Sequence, residues 1–205
     1  MTPLLDINRK KLKVINLFGA PGRGKSGTRS GLFWLMKACQ FSVEEVSEYA
    51  KYLVMTGRTW QLQEEQLYLL SKQHHKQLII ERNGYEYAAT DSPLQLSAFY
   101  APKNYLSHFE PLVAEAFDRF ENINFFLTRD VEVEGSAFEE RGRMHDRASS
   151  VQVEQEMREF LDKKSIVCTD MAVDLFTPFR ILERIAPGRA PWPTFAPVRP
   201  CTAAA

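Results

Sequence analysis

The sequence has little cysteine, no net charge and no long apolar run. Its three cysteines, Cys39, Cys168 and Cys201, are scattered along 205 residues without a Cys-x-x-Cys pair. That spacing argues against a disulfide framework or a zinc knuckle, and reduced thiols are expected. Lys plus Arg equal Asp plus Glu at 26 each, so nothing pulls the whole chain toward nucleic acid or an anionic membrane. A local basic groove remains compatible with that balance. No apolar stretch approaches the ~18–20 residues that span a bilayer. The first residues also lack the apolar centre of a signal peptide, so a soluble, cytoplasmic protein is expected. Neither an Asn-Lys-x-Asp guanine-reading signature nor an Asp-x-x-Gly segment after a strand is present, which disfavours a regulatory GTPase.

What is present alternates between two periodicities. Val14–Phe18 reads as a short buried strand stopped by glycine, and residues 25–40 as a helix with Leu32, Leu35, Met36 and Cys39 in its stripe. Residues 41–47 form a second strand candidate. Residues 59–82 read as one long helix, stopped by Asn83-Gly84. A third strand is expected over 85–90, then a short helix begun by Pro93, and an amphipathic helix from about Pro111 to Phe120. Ile123–Thr128 reads as a strand, 151–163 as a helix, 166–169 as a last strand and 179–186 as a last helix. This alternation predicts an α/β fold of three layers, a mainly parallel sheet with helices on both faces. Residues 1–186 would form that domain. From Pro187 on, five prolines in fourteen residues rule out a helix or an inner strand, so 187–205 reads as a proline-rich tail.

The segment Gly19-Ala20-Pro21-Gly22-Arg23-Gly24-Lys25-Ser26 fits G-x-x-x-x-G-K-[ST] in full, with the strand before it and the helix after it that the motif requires. Glycines let the backbone N–H groups turn inward onto phosphates, and the helix aims its positive end at the same point. Lys25 is expected on the β- and γ-phosphates of a nucleoside triphosphate, taken as ATP, with the Ser26 hydroxyl on Mg²⁺. Gly19 to Gly27 form the cradle.

Two carboxylates fall where strands end, the side on which ligands bind in such sheets. Asp91 could orient Mg²⁺ or accept a proton from an attacking hydroxyl, or it could merely cap a helix. Glu48 could face an acceptor, or be a solvated surface charge. After the fourth strand come Arg129, Arg141, Arg143 and Arg147, with Gly135 and Gly142 between them. Arginines on a mobile lid can neutralise charge on a transferring phosphoryl group, and Arg141 and Arg143 are the preferred pair; the bland alternative is a solvated loop. His74-His75 have no partner at metal-ligand spacing.

The run Val14–Ser26, then Ser47-Glu48-Tyr49-Ala50-Lys51, Thr90-Asp91-Ser92-Pro93 and Phe125-Phe126-Leu127-Thr128-Arg129, resembles small P-loop kinases. That group includes the kinase domain of bifunctional ribosylnicotinamide kinases and bacteriophage nucleotide-kinase-like proteins. The resemblance covers about residues 12–186 and implies an ATP-dependent kinase acting on a hydroxyl of a nucleoside-like acceptor. It implies Glu48 near the acceptor, Asp91 near metal and attacking hydroxyl, and 129–147 as the lid. Some phage relatives resemble enzymes that phosphorylate 5-hydroxymethyluracil within DNA, which makes DNA a candidate acceptor. It would approach through the lid arginines and the basic cluster Arg9, Lys10, Lys11 and Lys13. A different class also fits the motif: an ATP-switched binding module that hydrolyses ATP without phosphorylating a product.

Overall fold

The computed structural model describes residues 10–128 and 147–189. Five strands form one sheet in the order β2-β3-β1-β4-β5: β1 (Lys13–Phe18), β2 (Val43–Val46), β3 (Tyr87–Thr90), β4 (Glu121–Thr128) and β5 (Thr169–Ala172). Every pairing is parallel, with Asn16 beside Thr90 of β3 and Asn124 of β4. β1 lies at the centre. Side chains alternate along it, so Ile15 and Leu17 enter one apolar layer while Val14 and Phe18 enter the other. Both faces are covered, which is why the strand reads as a continuous apolar run.

One layer is closed by α1 (Lys25–Ala38) and α8 (Thr177–Ile185), through Leu32, Leu35, Met36, Ile181 and Leu182. The other is closed by α4 (Gln66–Arg82), α5 (Gln95–Phe99), α6 (Phe109–Asp118) and α7 (Arg147–Lys163). Leu70, Ile80, Val113, Phe117, Met157 and Leu161 pack there against the sheet. Two short helices, α2 (Tyr49–Met55) and α3 (Trp60–Glu64), bridge β2 to α4. Among the described residues no helix is long and apolar enough to cross a membrane.

The expected parallel three-layer architecture is therefore what forms, with four local corrections. The single helix expected over 59–82 is two, because Glu65 leaves helical geometry at φ −118°, ψ 44°. The last strand begins at Thr169, not at Ile166. Val167, which looks like a strand residue, is 85% exposed in the irregular stretch before it. Helix α2 was not expected; one buried residue, Leu53, anchors it. The final two helices begin two to four residues earlier than their apolar stripes suggest. The expected lid over 129–147 and the tail from 190 fall outside the described residues, apart from Arg147 at the start of α7.

Candidate functional site

A parallel sheet gathers the carboxyl ends of all its strands on one rim. The loops after β1, β2 and β3 therefore come together, although 72 positions separate Gly19 from Asp91.

After β1 the chain turns through Gly19 at φ 140°, Gly22 at φ 87° and Gly24 at φ 79°. A Cβ on Gly19 would stand 2.8 Å from the Leu127 carbonyl oxygen, and one on Gly24 would stand 2.9 Å from Val173 Cγ1. Only glycine fits both the torsion and the space at these two positions. Gly24 caps α1, whose first turn carries no acidic side chain, so its N–H groups meet no competing carboxylate of their own turn. Lys25 Nζ donates to the Gly19 carbonyl at 2.6 Å and to the Ala20 carbonyl at 3.0 Å. The ammonium thus lies inside the loop that it would share with phosphates. These features fit a polyphosphate: a concave turn of amides, a helix N-terminus and a cation resting on exchangeable carbonyl partners. Ser26 follows in the first turn of α1. Gly27 needs no close approach, since nothing lies within 4 Å of a Cβ added there.

Helix α7 holds this loop from the side. Ser150 Oγ donates to the Pro21 carbonyl at 2.7 Å, and Arg23 Nε meets Glu154 Oε2 at 2.6 Å with both side chains largely buried. Arg23, expected in the cradle, turns its guanidinium toward that helix.

Asp91 is 1% exposed. It is not a helix cap: α5 is capped at Leu94, and the Ser92 N–H bonds Thr90 Oγ1 instead. Its Oδ1 accepts from Arg29 Nη1 at 2.7 Å. Arg29 Nε also lies 3.3 Å from Glu45 Oε2 on β2. Sequence reading missed Arg29, though a signal existed. It stands four residues after Lys25 on α1, so both cations share one helix face. Glu48 occupies the position before α2 without capping it by its side chain. Burial pushes its carboxyl above the ordinary range; the Lys25 ammonium pulls it back and the Asp91 carboxylate pushes it further up. Lys76 of α4 closes this side by donating to the Ser47 carbonyl at 2.9 Å, and burial beside Arg29 lowers its ammonium. The Tyr100 hydroxyl is driven upward by burial and by Glu48.

Glu48, Asp91 and the P-loop are thus brought together, whereas Arg141 and Arg143 lie outside the described residues. Arg9 of the basic lead-in lies outside the described residues. Lys10 and Lys13 stand at the amino-terminal end of β1, away from this rim, and both contact Glu86. Their separation from the P-loop is about the length of β1, ~17 Å. His74 is half-buried, edge-on to Phe120 at 5.8 Å. Among the described residues no three His, Cys, Asp or Glu side chains converge to hold a metal unaided. Magnesium on the rim would have to share Ser26 with phosphate oxygens. Two concavities, of about 340 Å³ between β4, β5 and α7 and about 910 Å³ between α4 and α6, contain no P-loop residue. The candidate site lies instead on the rim, where ligands bind in such sheets.

No protein-family model matches the sequence, and no curated protein does. Solved structures share the fold. The NadR protein in complex with NR superposes with a TM-score of 0.58 at 14% identity over 81% of this chain, which spans 46% of the NadR chain. Thymidylate kinase from Ehrlichia chaffeensis gives 0.54 at 13% identity, over 86% of this chain and 99% of that one. Deoxyadenosine kinase from M. mycoides with bound dCTP gives 0.51 at 14%, over 84% and 97%. The chain shares the three-layer α/β fold of these proteins.

Proposed function

We propose that the chain is an ATP-dependent kinase that transfers the γ-phosphate to a hydroxyl of a nucleoside- or nucleotide-type acceptor, with a hydroxymethylated pyrimidine in DNA among the candidates. The observation that carries the reading is one rim on which a P-loop faces two carboxylates, neither of which caps a helix with its side chain, with burial raising that of Glu48. The fold shared with a thymidylate kinase and a deoxyadenosine kinase supports it.

In this reading the loop amides and Lys25 bind the triphosphate, Lys25 exchanging two carbonyl partners for phosphate oxygens. Ser26 would hold Mg²⁺, whose charge would offset that of the phosphates. Glu48 takes the proton from the acceptor hydroxyl, since a raised carboxyl is the stronger base. Asp91, one oxygen of which Arg29 holds, orients the acceptor or the metal's water shell. Arg141 and Arg143 would neutralise the transferring group.

Incubation with γ-labelled ATP and a panel of nucleosides, monophosphates and hydroxymethylated DNA should leave label on an acceptor. Lys25→Ala should cut transfer by at least about a hundred-fold, the scale on which a fixed charge acts on a transition state. ATP hydrolysis with every acceptor unlabelled would reject the kinase reading in favour of a nucleotide-switched binding module.

A further inference from the structure

Helices α2, α3 and α4 carry an exposed aromatic surface that the phosphotransfer reading does not use. Tyr49 and Tyr52 stack at 5.6 Å between centroids with 29° between planes, and Tyr68 of α4 meets Tyr49 edge-on at 5.9 Å. Half of Tyr52 and half of Trp60 remain open to solvent, with Met55 72% open beside them. These exposed large apolar side chains stand on two short helices, one of them anchored by Leu53 alone, and they point to a partner.

The cations of this surface indicate which partner. The Arg58 guanidinium stands 5.2 Å from the Tyr52 ring centroid and Lys72 Nζ 5.3 Å from that of Tyr68. Exposed Lys51 lies on α2 between the two stacked tyrosines in sequence. Between Tyr49 and Lys76 there are four Lys and Arg against two carboxylates, Glu64 and Glu65, in a chain that is neutral overall. Glu65 already accepts from Gln61 Nε2 at 2.8 Å. An apolar protein face would bury these charges without counterpart, at a cost of several kcal/mol per ion. A polynucleotide offers both needed elements at its own repeat: a π-face for each ring and a phosphate for each cation. Stacking requires unpaired bases, so a single strand suits the surface better than a duplex.

We propose that the tyrosine and cation surface of α2–α4, centred on Tyr52, Tyr68, Arg58 and Lys72, is a docking surface for single-stranded nucleic acid. The residue before Tyr49 is Glu48. A strand lying along α2 would therefore lead one nucleotide to the rim, making the acceptor part of a polymer. That last step rests on the kinase reading; the docking itself does not.

The test is fluorescence anisotropy of the full chain, without ATP, with a labelled oligothymidine of about 12 nucleotides, within the range of known strand-binding sites. Binding should weaken with salt at a log–log slope of about −2, from roughly 0.7 per phosphate contacted by Lys51, Arg58 and Lys72. Tyr52→Ala and Tyr68→Ala should each weaken it about ten-fold, the scale of one lost base stack. Arg58→Ala should flatten the slope by about 0.7 and serves as the second variant if an aromatic one melts early. No binding, or wild-type affinity in folded Tyr52→Ala and Tyr68→Ala, overturns the proposal. So does a concentration-dependent dimer that these variants abolish while oligonucleotide stays unbound, which would make the surface a contact between two copies. A chain that binds the strand but phosphorylates nothing would reject only the kinase. One that phosphorylates free nucleosides and ignores the strand would reject only the docking surface.

Discussion

Arg29→Met should be among the most damaging single substitutions in the described chain. The change removes the guanidinium 2.7 Å from Asp91 Oδ1 and leaves a carboxylate that is 1% exposed without its cation. Stripping one partner from a buried pair costs about 3–5 kcal/mol, because the remaining charge is neither hydrated nor compensated. Glu45, 3.3 Å from Arg29 Nε, adds little, since its side chain is 35% exposed and water can replace the cation. Against a typical total of about 5–15 kcal/mol, that is a large share of the stability. With a urea slope of about 2 kcal/mol/M it lowers the midpoint by about 1.5–2.5 M. The sharper expectation is a sign reversal. Asp91→Asn alone should destabilise by about 1 kcal/mol, by weakening a charge-assisted hydrogen bond. In the Arg29→Met background the same change should stabilise, because it removes the orphaned charge. Urea melts of the four proteins measure this directly. A loss under about 0.5 kcal/mol in Arg29→Met, or further loss when Asp91→Asn is added to it, would refute the buried-pair account.

Glu48→Gln should abolish the acid limb of kcat/KM, and that limb should lie above the ordinary carboxylate range, near 4.3; an unchanged profile would remove Glu48 as base. Because the folded state raises this carboxyl, it binds more protons than the unfolded chain between the two values, so its contribution to stability falls as pH rises through that window. Glu48→Gln should remove that dependence, measured by melting at several pH values. Gly19→Ala should cost more than Gly24→Ala, although both force a side chain into a strained backbone region at about 1–3 kcal/mol. The Cβ at Gly19 meets a backbone carbonyl that cannot yield, while that at Gly24 meets the end of Val173; thermal melts giving the opposite order would contradict this. Gln77 is 1% exposed with neither amide atom partnered, so Gln77→Met should stabilise by about 1–2 kcal/mol and raise Tm by a few degrees. A lower Tm would show the amide to be engaged.

The sheet and the P-loop were legible because their signals are local and contiguous. An apolar run stopped by glycine, a nine-residue cradle and a helical stripe each announce themselves within a few residues. The break at Glu65 was hidden because no glycine or proline marks it; the chain bends there to seat α4. The strand expected at Ile166 was misplaced because Val167 has strand propensity but faces solvent, whereas β5, an edge strand, is built from the mixed run Thr169–Ala172. Helix α2, with a single buried residue, is too short for periodicity to reveal. Asp91 and Glu48 were legible as candidates from their places at strand ends. Their electrostatic partners were not, because Arg29 to Asp91 spans 62 positions and Arg23 to Glu154 spans 131, distances over which side-chain pairing leaves no pattern in one sequence.

Since every strand runs the same way, the P-loop, Glu48 and Asp91 share one rim and the opposite rim is free of them. The exposed turn at Asn83-Gly84, with Gly84 at φ 78° and nothing within 4 Å of an added Cβ, belongs to that other rim, just before β3 begins. A peptide tag, a fluorophore or a surface tether inserted there would sit at the far side of the sheet from Lys25 and Glu48. The molecule thus has a built-in handle by which it can be immobilised or watched with the P-loop rim left open.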